Sequence, residues 1–306
     1  MKICLIGRTA ILAAIGKEGL SRGHEIAAIV TAKESPETVE DQFVIESFSQ
    51  LHGIALFKTP NFDDVVDQLH GLGIDIGLST NYVSILNDSH IKLFRLGILN
   101  AHGGDLPRYR GNACQAWAIL NGESSISLCI HRMVGELVDS GDIINRETIS
   151  ISDKTYIGDV YEWMASRIPE MIVNSAEILE LNPHFVLQAQ SGLPEDSLRT
   201  FPRRREDSHI CWRDSRIHIL RLVRASSRPF SGAYSTLNGK RITIWRAEEI
   251  EHSPFNSVPG QVICLNSHSF DVSVENGSSA IRVTDARMEN GDDWRHEIKS
   301  TRARLV

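Results

Sequence analysis

Apolar runs of strand length alternate with amphipathic stretches through residues 1–200. "KICLIG" at residues 2–7 is apolar and ends on a glycine, a stretch of helical character follows, and "HEIAAIV" at residues 24–30 is apolar again. Near-continuous apolar strands separated by helices predict a parallel sheet with right-handed crossovers. The helical patterns at 37–53 ("ETVEDQFVIESFSQLHG") and 62–73 ("FDDVVDQLHGLG"), and the apolar runs at 74–79 ("IDIGLS") and 94–100 ("FRLGILN"), continue the alternation. Two further strands are expected at 124–133 ("SSISLCIHRM") and 141–151 ("GDIINRETISI"), joined by "VGELVDS". A long amphipathic run at 155–182 predicts a helix of several turns, adjusted at Pro169.

The pattern changes after residue 200. "GAYSTLNGKRITIWRAEEI" (232–250) and "SFDVSVENGSSAIRVTDARM" (269–288) each set Asn-Gly between alternating apolar and polar residues, the strongest short-range hairpin signal. With "PGQVICL" (259–265) they predict a small antiparallel barrel or curled sheet. The expected architecture is α/β: a Rossmann-like, mostly parallel sheet with flanking helices over residues 1–200, then a small antiparallel β-rich, OB-like barrel domain over 201–306.

Composition fits that picture and removes several function classes. A chain of 306 residues that is 42% hydrophobic and 23% charged has material for a sizeable core and about two domains. The net charge of -7 leaves no global attraction to nucleic acid or to an anionic membrane. Arg203, Arg204 and Arg205 form a local basic run, read as a solvated linker. Five scattered cysteines without CxxC spacing fit neither a disulfide framework nor a zinc site, and they point to a reducing cytoplasm. The apolar N-terminus is read as strand and helix rather than an export signal, because Arg8 interrupts it and Lys17 and Glu18 stand where a cleavage site would be. No stretch approaches the ~18 apolar residues of a membrane span.

The common α/β chemistries are missing. "GRTAILAAIG" (7–16) stands where a dinucleotide fold would show G-x-G-x-x-G, and there is neither a phosphate loop nor a G-x-S-x-G elbow. Attention falls instead on "NAHGGDLPRYRG" (100–111). If the strand before it runs two residues further, Asn100 and His102 project from one face at a carboxyl end, the edge where open parallel sheets bind ligands. Asn can donate to an oxygen that becomes negative and His can move a proton near neutral pH, a pair suited to attack of an amine on a carbonyl. A turn cap is the plain alternative. A carboxylate to orient the His is on offer at Glu136, Asp139 or Asp142, although Asp139 in "DSG" is equally a turn residue.

Asn100–Gly111 followed by "VDSGDII" (138–144) resembles the folate-dependent formyltransferase family, whose signature is N-x-H-x-S-L-L-P-x-x-x-G with a downstream D-x-G-D. "FPRRREDSHICW" (201–212) and "RLVRASSRPFSGAY" (221–234) resemble the same family's linker and C-terminal domain, so the likeness covers nearly the whole chain. It implies an enzyme that moves a formyl group from 10-formyltetrahydrofolate to a primary amine without a metal. It also implies that Asn100 and His102 stabilise the developing oxyanion while Asp139 orients His102 and helps carry the proton to the leaving nitrogen. The loop at 81–88 corresponds to the family's pterin loop, which assigns Tyr82, Ile85, Leu86 and, from the downstream motif, Val138 to the folate co-substrate.

The layout is most similar to that of sugar N-formyltransferases, implying a small-molecule acceptor, a nucleotide-linked amino sugar, with no nucleic acid or membrane partner. Hydroxyornithine-type and methionyl-tRNA formylation are the alternatives. The methionyl-tRNA members open with a G-T-P-E-F-A type segment that "GRTAILAAIG" does not match. Gly104 and Asp105 replace the signature's Ser and Leu, and Asp105 reads either as a contact for a cationic amine or as a solvated loop residue. The C-terminal domain is expected to contact the acceptor, to brace the first domain through the linker, or to mediate self-association as a homodimer, since an exposed sheet edge would need covering.

Overall fold

Every residue of β1 (Lys2–Gly7) after its first is buried, as a strand covered on both faces requires. The computed structural model, which describes residues 1–32, 39–191, 193–251 and 254–306, builds outward from this strand. It continues through α1 (Ile11–Ser21), β2 (Glu25–Thr31), α2 (Val39–His52), β3 (Ala55–Lys58), α3 (Val66–His70), β4 (Ile76–Thr80), α4 (Asp88–Ile91) and β5 (Ile98–His102). Then come β6 (Tyr109–Gly111), α5 (Cys114–Asn121), β7 (Ser125–Arg132), β8 (Ile143–Ser150), α6 (Ile157–Leu181) and β9 (Leu198–Thr200). Glu37 and Thr38, where the sequence pattern starts its second helix, lie outside the described residues.

One seven-stranded sheet runs β3-β2-β1-β4-β5-β7-β8. The pairs from β3 to β5 are parallel, and β5 pairs with β7 antiparallel. The chain leaves β1 toward β2 and β3, then returns to its other side with β4, so the strand order reverses beside β1 and opens a crevice at the carboxyl ends. Gly7 ends β1 in the register of Thr80, where an added Cβ would lie 2.1 Å from the Thr80 carbonyl oxygen. Close strand approach, not phosphate binding, accounts for that glycine. The edge strand β3 had no clear sequence signal because its four residues are only partly buried. α6 runs through Pro169 without a break.

Two compact units emerge, one of residues 1–114, 126–149 and 162–201, the other of 115–125, 150–161 and 202–306. In the second, α7 (Arg216–Ser226) starts at Ser215, whose hydroxyl accepts the His218 N–H, and buries Ile219, Leu222 and Val223. The strands β10 (Ala233–Leu237), β11 (Lys240–Glu249), β12 (Val262–Leu265), β13 (Phe270–Val274) and β14 (Ser279–Met288) form an antiparallel sheet in the order β10-β11-β14-β13-β12. Asn238 and Gly239 turn the first hairpin with φ of 51° and 78°, the positive pair that Asn-Gly supplies. Arg203 is not free in solvent: it donates to the Asp207 and Ala225 carbonyls and to the Ser226 hydroxyl, while Arg204 and Arg205 are exposed.

The last residues close this sheet. Thr236 and Val306 exchange backbone hydrogen bonds of 2.8 Å beside β10, and on the β12 side Leu305 N–H reaches the Gly260 carbonyl while Val262 N–H reaches Ala303. The tail therefore pairs with part of both edges, β10 and β12. Among the described residues no helix is long and apolar enough to cross a membrane.

Leu305 is 1% exposed and sits between the two edges. Leu305→Ala is expected to cost about 2–4 kcal/mol in urea unfolding, the range for a buried leucine that leaves a cavity. A loss of only a few tenths would show that the tail does not close the barrel.

Candidate active site

β5 ends in Ile98-Leu99-Asn100-Ala101-His102, so strand alternation puts Asn100 and His102 on one face at its carboxyl end. The strand does run the two residues past the apolar stretch. The antiparallel neighbour β7 sets His131 directly opposite Asn100 and Cys129 opposite His102. Asn100 Nδ2 lies 3.2 Å from His131 Nε2, whose other ring nitrogen contacts the Arg132 carbonyl at 2.8 Å.

Asp139 arrives from the loop after β7 with φ of 51°, in the left-handed region that non-glycine residues seldom occupy. Its Oδ2 accepts the Gly111 backbone N–H at 2.9 Å and lies 3.4 Å from His102 Nδ1. Oδ1 lies 3.4 Å from His131 Nε2 and 3.5 Å from Asn100 Nδ2. The structure therefore brings Asn100, His102 and Asp139 together, and adds His131, which the sequence reading passed over. Glu136 and Asp142, the other carboxylates on offer, are not the ones that meet His102.

Asp139 and His102 are both nearly buried, at 11% and 8% side-chain exposure. Burial alone would lower the His102 pKa, but the Asp139 charge, with help from Cys114 and the Tyr109 carbonyl, outweighs it and raises the value to about 9. Burial likewise works to raise Asp139, but the His102 charge, the His131 hydrogen bond and the Gly111 N–H hold it well below the carboxylate range. His102 is thus an imidazolium at neutral pH. Its Nε2 donates to the Tyr109 carbonyl at 2.7 Å and its Nδ1 faces Asp139, so both ring nitrogens are engaged. Asn100 is half-buried.

The departure from the N-x-H-x-S-L-L-P signature has a steric reason. A Cβ on Gly104 would lie 2.4 Å from His102 Nε2 and 2.6 Å from the Tyr109 oxygen, so no side chain fits while that hydrogen bond stands. Asp105 is half-exposed but not simply solvated. It accepts from Arg146 at 2.8 Å and from Ser127 at 2.9 Å, and Arg146 also donates to the Leu106 carbonyl. Its carboxylate ties the loop to β7 and β8.

The four residues assigned to the folate are divided. Leu86 is 2% exposed and its carbonyl accepts the Glu136 N–H, which joins the loop at 81–87 to the one that carries Val138. Tyr82 spends its hydroxyl on the Thr59 carbonyl and its ring on the edge of Phe62. Val138 is half-buried, whereas Ile85 is 65% exposed and Leu137, in the other loop, is 59% exposed. Exposed apolar side chains beside backbone polar groups suit a flat heteroaromatic ligand.

The family model described as formyl transferase matches residues 1–175, and that of the formyl transferase C-terminal domain matches residues 203–297. A methionyl-tRNA formyltransferase of Agathobacter rectalis is 26% identical over 275 residues, 88% of this chain and 86% of that relative. HypX from Aquifex aeolicus in complex with tetrahydrofolic acid superposes with a TM-score of 0.66 at 19% identity over 94% of this chain, which spans only 44% of HypX. WlaRD, a sugar 3N-formyl transferase, gives 0.67 at 17% identity over 92% of this chain and 97% of its own.

The ion pair makes stability depend on pH in two directions. His102 is raised above its ordinary 6.5, so its contribution is complete below that pH and is lost as pH rises through about 9. Asp139 is depressed below 3.8, so its contribution is complete above that pH and is lost as the solution is acidified further. In urea unfolding, the advantage of the native protein over His102→Gln is expected to fade through about pH 9. An advantage that is equal on both sides of that range would contradict the pair.

Proposed function

The chain belongs to the formyl transferase family, and on that premise we propose that Asn100, His102 and Asp139 transfer a formyl group to the amine of a nucleotide-linked amino sugar. The formyl donor is 10-formyltetrahydrofolate. The observation that carries the reading is the convergence of an amide, an imidazolium and a carboxylate at the end of β5. As an amine adds to the formyl carbon, negative charge builds on the formyl oxygen. Asn100, the half-buried donor, hydrogen-bonds that oxygen, and the fixed His102 cation lowers its energy in a site largely closed to water. Asp139 keeps His102 oriented and charged and helps pass the proton that the attacking amine gives up to the leaving nitrogen as the bond from the formyl carbon to that nitrogen breaks.

The loops at 81–87 and 133–139 hold the donor between Ile85 and Leu137, with backbone groups addressing the pterin. For the acceptor, the net charge of -7 and the unmatched opening segment "GRTAILAAIG" support a small molecule over a polyanion. WlaRD, similar in fold, is described as a sugar 3N-formyl transferase, in line with that choice.

A second reading, methionyl-tRNA as acceptor, is favoured by the Agathobacter relative and by a net basic segment from residue 202 onward in an otherwise acidic chain.

Incubation with 10-formyltetrahydrofolate and a panel of nucleotide-linked 3-amino and 4-amino sugars should give a product heavier by one formyl group. No product across the panel removes the sugar reading. Turnover on that sugar should be nearly flat in added salt, whereas transfer to tRNA should fall steeply because phosphate contacts release counterions. Asn100→Ala and His102→Ala should each lower kcat by about a hundredfold or more and leave folate affinity close to native, since oxyanion donors act in the transition state. Native turnover in either variant would place the reaction elsewhere.

A further inference from the structure

Gln190 lies outside the motifs considered above, in an irregular segment before β9, yet its side chain joins the two segments that fix Asp139. Its Nε2 donates to the Asp139 carbonyl at 3.0 Å and to the Gly141 carbonyl at 2.6 Å. Its Oε1 accepts from Arg110 Nη2 at 2.9 Å and Nε at 3.2 Å. Both donors and both lone pairs of the amide are therefore used. The backbone is pinned as well: Gln190 N–H meets the Asp142 carboxylate at 3.3 Å, and Arg110 donates again to the Ser191 carbonyl at 2.9 Å.

The two ends of this bridge matter for the same carboxylate. One end holds the carbonyl of Asp139, whose φ of 51° persists only where surrounding bonds over-determine it. The other end holds Arg110, and the next residue, Gly111, supplies the N–H that binds Asp139 Oδ2 at 2.9 Å. Loss of the amide would free the Asp139 backbone and the donor to its side chain at once.

We propose that Gln190 is a positioning residue for formyl transfer: by bridging the Asp139 and Gly141 carbonyls to the Arg110 guanidinium, it holds the Asp139 carboxylate against His102. The proposal rests on Asn100, His102 and Asp139 being the reaction centre. Gln190 touches no reacting atom, so its influence passes through the distance between Asp139 and His102. A carboxylate that wanders supports the His102 charge less well and aims less well at the amine.

The test compares kcat, KM for 10-formyltetrahydrofolate and the pH profile of kcat in the native enzyme, Gln190→Ala, Gln190→Glu and Asp139→Asn, with thermal unfolding as the check on folding. Gln190→Glu keeps an oxygen for Arg110 and removes both donors to the loop, so it decides the matter if Gln190→Ala does not fold. Both Gln190 variants should lower kcat roughly ten- to a hundredfold, as a misplaced catalytic group does, with KM nearly unchanged. In Gln190→Ala the alkaline limb of the profile should move to lower pH, because His102 loses part of the charge that keeps it protonated; the added carboxylate of Gln190→Glu works in the opposite direction, so that variant is judged on kcat. A fall in kcat with the limb unmoved in Gln190→Ala would make Gln190 merely structural, and native kcat in a folded Gln190→Glu would likewise overturn the proposal. Native kcat in Asp139→Asn would instead bring down the reading of the reaction centre itself.

Discussion

A carboxylate withdrawn from water at Asp139 sets the terms for everything around it. An isolated buried charge is costly enough that the group would protonate instead, so it must be met by donors and an opposite charge. Here the Gly111 N–H, the His102 imidazolium, His131 and the Asn100 amide converge on its two oxygens. Each of these is in turn aimed by something else: His102 by the Tyr109 carbonyl, His131 by the Arg132 carbonyl, Asn100 by its register on β5. Two opposite charges with few free hydrogen-bonding positions make a rigid centre, and rigidity is what an electrostatic catalyst requires.

Sheet topology supplies the donors. Parallel pairing through β5 aligns carboxyl ends at one edge, and the antiparallel step to β7 brings a second histidine to the same place from the opposite direction. Tyr109 and Gly111, which bracket β6, deliver one backbone acceptor to His102 and one backbone donor to Asp139. In the short loop between His102 and Tyr109, Gly104 stands at the crowded point and Asp105 is anchored to Arg146. What reads in the sequence as a departure from a signature is, in space, a different way to seat the same histidine.

Much of this was legible from residue order alone, because periodicity and turn chemistry are local. Strand alternation put Asn100 and His102 on one face, and Asn-Gly placed the first C-terminal hairpin correctly. His131 was not legible: residues 126–131 of β7 are all buried, so no alternation singles out one of them, and only the register with β5 gives it a partner. Gln190 lies in an irregular segment whose bonds run to residues 49 and 51 positions earlier in the chain. α7 was obscured by arginines at 216, 221 and 224 among its apolar positions, and the closing tail by its brevity. In each case the missing information was tertiary.

The central claim is that His102 stands beside Asp139 as a fixed cation at neutral pH. Nitrogen NMR of the assigned His102 ring in the native protein tests it directly. The geometry predicts that both ring nitrogens carry a proton at pH 7 and that the ring titrates near 9. A neutral ring at pH 7, with one bare nitrogen, would contradict it.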